Sequence, residues 1–143
     1  METTKIKFPA KRIWIGILTA VMLLSFQSCA TKVQFLTSSV VPAAEGVVSI
    51  KKNKNNNYVI KMQISNLAGI DRLQPAKKGY VVWMEADQAF TRNIGLVTSS
   101  GNLNVSFETT ATLKPTRIFI TAEDYENVQY PGSMVVLTTG RIN

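Results

Sequence analysis

From Gly46 onward the chain alternates apolar and polar positions with a period of two, in short runs broken by turn residues. The cleanest run is residues 58–65, where Tyr58, Ile60, Met62 and Ile64 share one face and Val59, Lys61, Gln63 and Ser65 the other. That is the signature of a half-buried strand. Residues 47–51 form a β-rich run before it, and the intervening Lys52-Asn53-Lys54-Asn55-Asn56-Asn57 reads as a hairpin loop, because Asn tolerates left-handed backbone and bonds its own chain. A longer connection, residues 66–78, holds Gly69 and Pro75. Residues 80–86 are almost continuously apolar, as in an interior strand packed on both faces. Residues 91–98 follow, with Gly95 marking a bulge or a close backbone approach. Beyond a tight turn at Gly101-Asn102, Leu103, Val105 and Phe107 alternate with Asn104, Ser106 and Glu108. Pro115 introduces residues 117–123, with Ile118, Ile120 and Ala122 inward. A loop over 124–133 holds Pro131-Gly132, and residues 134–139 close the pattern. About seven strands at near-regular turn spacing, with no helical period after Cys29, predict an all-β fold: an antiparallel, immunoglobulin-like β-sandwich. A small open barrel is the alternative.

The N-terminus has a different pattern. Lys5, Lys7, Lys11 and Arg12 precede the fourteen-residue apolar run 13–26. As a helix that run would span about 21 Å, short of the roughly 30 Å hydrocarbon core, so it fits a secretory leader better than a membrane span. It ends in Ser25-Phe26-Gln27-Ser28-Cys29, which resembles the lipobox of bacterial lipoproteins, although Phe26 and Gln27 are larger than the usual residues. That resemblance implies cleavage before Cys29, lipidation of Cys29 and a membrane partner reached through the lipid. The expected organisation is a signal peptide over 1–28, a lipidated cysteine and tether over 29–44, and a β-sandwich domain over 45–143. Within the tether, residues 33–41 are the place for an edge strand, with Pro42 at its end. The expected location is the cell envelope, on the outer membrane or its periplasmic face.

Composition narrows the chemistry. The chain has no histidine, hence no imidazole base, proton shuttle or metal ligand, and its single cysteine can make neither an internal disulfide nor a thiolate metal site. No metal and no cofactor are expected. The net charge of +7 is partly the leader's; from Cys29 onward twelve Lys plus Arg face eight Asp plus Glu. That is a mildly basic surface without the clustered stripe of a nucleic-acid binder. Glu123, Asp124 and Glu126 lack the spacing of a calcium loop and read as a solvated acidic loop. Glu85 and Asp87 sit about 6.5 Å apart along one strand face, a routine arrangement that does not by itself make a glycosidase pair. Serines and threonines are numerous, yet no Gly-x-Ser-x-Gly or Ser-x-x-Lys motif activates one. Trp83 has two readings. In phase with Val81, Glu85 and Asp87, it is an exposed binding platform if Tyr80, Val82 and Met84 face the core. Otherwise it packs under a loop or a second sheet. With Tyr125 and Tyr130 it forms the candidate binding surface.

Several features recur in one order along residues 46–140: Asn66-Leu67, Leu73-Gln74-Pro75, Tyr80-Val81-Val82-Trp83, Asn93-Ile94-Gly95, Phe119-Ile120-Thr121-Ala122-Glu123 and Pro131-Gly132. The series resembles the C-terminal extracytoplasmic domain of anti-sigma-K factors, with Tyr80, Trp83, Gly95, Thr121, Glu123, Pro131 and Gly132 matching its structural pattern. The resemblance implies a shared fold and a style of periplasmic sensing or interaction. It does not extend to sigma-factor binding, because the cytoplasmic segment and membrane helix of that family are replaced here by the lipoprotein-like leader. The expectation is a non-enzymatic interaction or sensor module meeting an envelope protein. The alternative is a glycan- or peptidoglycan-binding module that uses exposed aromatic rings.

Overall fold

The computed structural model describes residues 30–87, 90–97 and 104–143; Cys29 and the leader lie outside them, as does the turn expected at Gly101-Asn102. The elements run β1 (Thr31–Gln34), β2 (Glu45–Lys52), β3 (Tyr58–Ser65), a short 3-10 turn at Ile70–Arg72, β4 (Gly79–Ala86), β5 (Phe90–Val97), β6 (Val105–Ala111), β7 (Arg117–Glu123) and β8 (Val135–Thr138). The longer strands arise where apolar positions can bury one face or both. In β3, Ile60, Met62 and Ile64 are buried while Lys61, Gln63 and Ser65 are exposed.

All the pairings are antiparallel, in two four-stranded sheets ordered β1-β2-β3-β6 and β5-β4-β7-β8. The chain crosses between sheets from β3 to β4, from β5 to β6 and from β6 to β7, and makes hairpins within a sheet at β2–β3, β4–β5 and β7–β8. This is the Greek-key connectivity of an immunoglobulin-like sandwich, and it fixes the fold as a sandwich rather than a barrel. The space between the sheets is filled by inward residues of both, among them Val48, Ile60, Met62, Ile64, Tyr80, Val82, Met84, Ile118, Ile120 and Leu137.

The segment expected to serve as a tether is built into the fold. Residues 31–44 are part of the domain. Thr31–Gln34 pairs with β2, so the edge strand lies nearer Cys29 than residues 33–41. Phe35 then bridges to Thr139, and the Leu36 amide donates to the Thr138 carbonyl, which ties the two sheets together along one side. Ser38 accepts hydrogen bonds from the Val40 and Val41 amides, and Val41 and Ala44 are buried in the core. The reason is packing. Without this segment the ends of β2 and β8 would lack a neighbour, and Val41 and Ala44 would forfeit their apolar burial.

Two loop expectations are met. The Asn53 side chain accepts from the amides of Asn55 and Asn57, and Asn56 takes φ 61. In β5 the register slips between Val82↔Gly95 and Trp83↔Asn93, which makes Ile94 the extra residue of a β-bulge. Gly95 has φ 150, and a Cβ built there would fall 2.6 Å from the Phe107 ring of β6. Bulge and close approach are both present, where Phe107 caps the side of the sandwich on which β5 and β6 cross.

Candidate functional site: a pinned loop carrying exposed tyrosines

The outer face of the β5-β4-β7-β8 sheet is covered. Because side chains alternate, β4 sends Tyr80, Val82 and Met84 inward and Val81, Trp83 and Glu85 outward. The opposing outward positions on β7 are Arg117, Phe119 and Thr121, with Glu123 opposite Gly79. The loop at 124–133 folds back across them. Val81, Trp83 and Phe119 form a second small core there, packed by Leu96 and Val128. Trp83 is 0% exposed. The platform reading of Trp83 is therefore wrong, since its ring meets the loop and no solvent. The other reading, packing under a loop, is the one the fold adopts, because residues 124–133 add a third layer over this face of the sheet.

Trp83 is held by ring packing and by a hydrogen bond. Its indole lies almost parallel to the Phe119 ring (centroids 6.3 Å apart, 16° between planes), and the Arg117 guanidinium sits over the other part of the stack, 5.3 Å from the Phe119 centroid. Its Nε1–H donates to Thr121 Oγ1 at 2.7 Å; the Thr121 hydroxyl donates to Glu123 Oε1 at 2.5 Å; and the Gly132 amide donates to the same oxygen at 2.7 Å. Every polar group in this buried chain has a partner, which is the condition for burying it without a large desolvation cost. A Cβ at Gly132 would lie 2.6 Å from Glu123 Oε2, so any side chain there would have to push the carboxylate out of its hydrogen bonds.

Four of the seven residues carried by the family resemblance thus form one hydrogen-bonded chain, and its end pins the loop. Gly95 is the bulge glycine, and Tyr80 lies on the opposite face of β4. Glu123 differs from its expected setting. It is 7% exposed and bonded to Thr121 and Gly132, so it does not belong to a solvated acidic loop. Asp124 is ion-paired with Lys77 at 2.7 Å. No group of three or more acidic or sulfur-bearing ligands suited to a metal occurs among the described residues.

The loop is fastened at three points: Lys77 to Asp124 at its start, Asn93 Nδ2 to the Val128 carbonyl in its middle (3.2 Å), and Gly132 to Glu123 at its end. Two tyrosines project from it. Tyr125 is 72% and Tyr130 81% exposed, and the Lys78 ammonium lies 5.6 Å from the Tyr125 ring. Of the three aromatics expected to form a binding surface, two are displayed and the third is the foundation beneath them.

Glu85 and Asp87 lie at the opposite end of β4, on the rim of an open groove of about 490 Å³ that also exposes Thr116, Arg117 and Arg141. Glu85 is bridged to Arg117 there, so the groove is of mixed charge. Compared with known family models, with curated proteins and with solved structures, the chain matches none.

Proposed function

We propose that the chain is an exported lipoprotein anchored through Cys29, whose sandwich is a non-enzymatic interaction or sensor module of the cell envelope. It is similar in role to the extracytoplasmic domain of anti-sigma-K factors. The observation that carries this reading is the pinned loop. Two tyrosines stand in solvent on a backbone fastened at three points over a buried tryptophan. Ordering a loop before it meets a partner lowers the entropic cost of binding, and tyrosine offers a large amphipathic contact with few rotatable bonds. The leader pattern supports export, and the absence of histidine in the chain supports a role without proton-transfer chemistry.

A glycan-binding role is the second reading. It rests on the same exposed rings of Tyr125 and Tyr130, and the loss of Trp83 from the surface leaves it with two rings in place of three.

A photo-crosslinking amino acid at position 130, used in intact cells, separates the two. The interaction module predicts a single crosslinked envelope protein, lost when Tyr125 is changed to Ala and when Cys29 is changed to Ala. Crosslinking to polysaccharide transfers the site to the glycan reading. Absence of any specific adduct, with the wild type still fractionating with membranes, removes the tyrosine loop from both.

A further inference from the structure

The charges that look evenly scattered in the sequence are separated along the long axis of the sandwich. The strand registers define two ends. At one lie the start of β1 and the end of β2 (Thr31↔Ile50), the β2–β3 hairpin (Lys52↔Tyr58), the end of β6 (Tyr58↔Ala111), the start of β7 (Glu85↔Arg117) and the β4–β5 turn (Ala86↔Phe90). Thr31 shares a hollow of about 120 Å³ with Lys52, Lys114 and Ile142, so the chain enters the fold at this end, on the edge strand of its sheet.

This entry end is basic. Lys51, Lys52 and Lys54 come from β2 and its hairpin, Lys114 and Arg117 from the β6–β7 connection and the strand it enters, and Arg141 from the C-terminal segment. Lys32 and Arg92 lie within two residues of the strand ends beside them. Only Glu85 and Asp87 oppose these eight, and Glu85 is already bridged to Arg117. The far end has the reverse balance: Glu45, Asp71, Glu123, Asp124 and Glu126 against Arg72, Lys77 and Lys78. Lys61 and Glu108, in mid-strand, pair with each other. Two large apolar side chains are also exposed at the entry end, Leu113 (47%) on the β6–β7 connection and Phe90 (50%) at the start of β5.

We infer that the entry end of the sandwich is a docking face for an anionic phospholipid surface. This rests on the reading of Cys29 as the lipid anchor. A single residue, Ala30, separates Cys29 from β1, so a lipid on Cys29 leaves almost no tether and holds the entry end against the headgroups. A basic face with protruding Leu113 and Phe90 matches that setting: cations near an anionic leaflet are attracted within a Debye length, and apolar tips gain by entering the interface. The acidic far end then points away from the bilayer and carries Tyr125 and Tyr130 outward. Docking sets the orientation in which the proposed interaction loop is offered.

The test uses the full chain, expressed with its leader, with an environment-sensitive fluorophore on Leu113→Cys or, separately, on Tyr130→Cys. Each protein is reconstituted into vesicles of phosphatidylcholine alone or mixed with phosphatidylglycerol. Docking predicts that the probe at 113 blue-shifts and is quenched by headgroup spin labels in the anionic vesicles only, while the probe at 130 stays in water. In the Cys29→Ala background the same basic face predicts salt-sensitive partitioning to anionic vesicles. Changing Lys51, Lys54 and Lys114, all exposed, to Glu weakens it on the order of 100-fold. A probe at 113 that remains in water in anionic vesicles overturns the inference, as does partitioning that the triple change leaves intact. Mass spectrometry of the wild type tests the anchor separately. An unlipidated Cys29 with a docked 113 probe sinks the anchor and leaves the docking face standing; a lipidated Cys29 with a solvated 113 probe does the opposite.

Discussion

Tyr80 shows how one buried side chain sets a pH limit. It is 0% exposed, its hydroxyl donates to the Ala68 carbonyl at 2.9 Å, and burial, helped by the nearby Asp71 carboxylate, pushes its pKa from 10.0 up to about 12. Between those values the unfolded chain has released the proton and the native chain still holds it. Fewer protons on the unfolded state means that stability falls as pH rises. The contribution is complete below pH 10 and is lost as pH climbs through 12, a change of about 2–3 kcal/mol. Tyr80→Phe should therefore be less stable than the wild type by about 1 kcal/mol at neutral pH, through the lost hydrogen bond. Across the alkaline window it should lose less stability than the wild type. Urea midpoints of both proteins at a series of pH values check this; a constant difference between them would contradict it. Gly95 makes a steric claim of the same size. Gly95→Ala meets the Phe107 ring and an unfavourable φ together, so it should cost about 2–3 kcal/mol. A double-mutant cycle with Phe107→Leu should show the two positions coupled, because the smaller side chain relieves the contact.

Among the elements, the 124–133 loop depends on one carboxylate. Glu123→Ala removes the acceptor for both the Thr121 hydroxyl and the Gly132 amide, in a site with no water-facing alternative for Thr121. The expected loss is about 1–3 kcal/mol. More diagnostic is its distribution: the Gly132 amide should lose hydrogen-exchange protection while β3 and β4 amides keep theirs. Uniform loss across the domain would mean that the network supports the whole fold and not the loop. The elements differ in how legible they were. β3 and β4 follow directly from apolar spacing, alternating in one and continuous in the other, because burial on one face or two leaves that trace. β1 left none. Its four residues are mostly exposed, and it is a strand only because β2 presents an edge for it to pair with.

For the molecule as a whole, the proposed function depends on which end of the sandwich faces the membrane. The two ends of the sandwich differ in charge, the chain enters at the basic one, and the tyrosine loop is fastened at the other. The sequence by itself determined the sandwich class, most strands, the glycine at the bulge and the leader pattern, because each depends on residues near one another in the chain. It also supplied the series Trp83, Thr121, Glu123 and Gly132 without saying why they belong together. Tertiary structure decided that they form one hydrogen-bonded chain, that Trp83 lies beneath a loop, and that residues 31–44 are fold and not tether. It also turned a mild net charge into a polarity. Those outcomes depend on which strands lie side by side and which loop folds over which face, and in an antiparallel Greek key these join residues far apart in sequence.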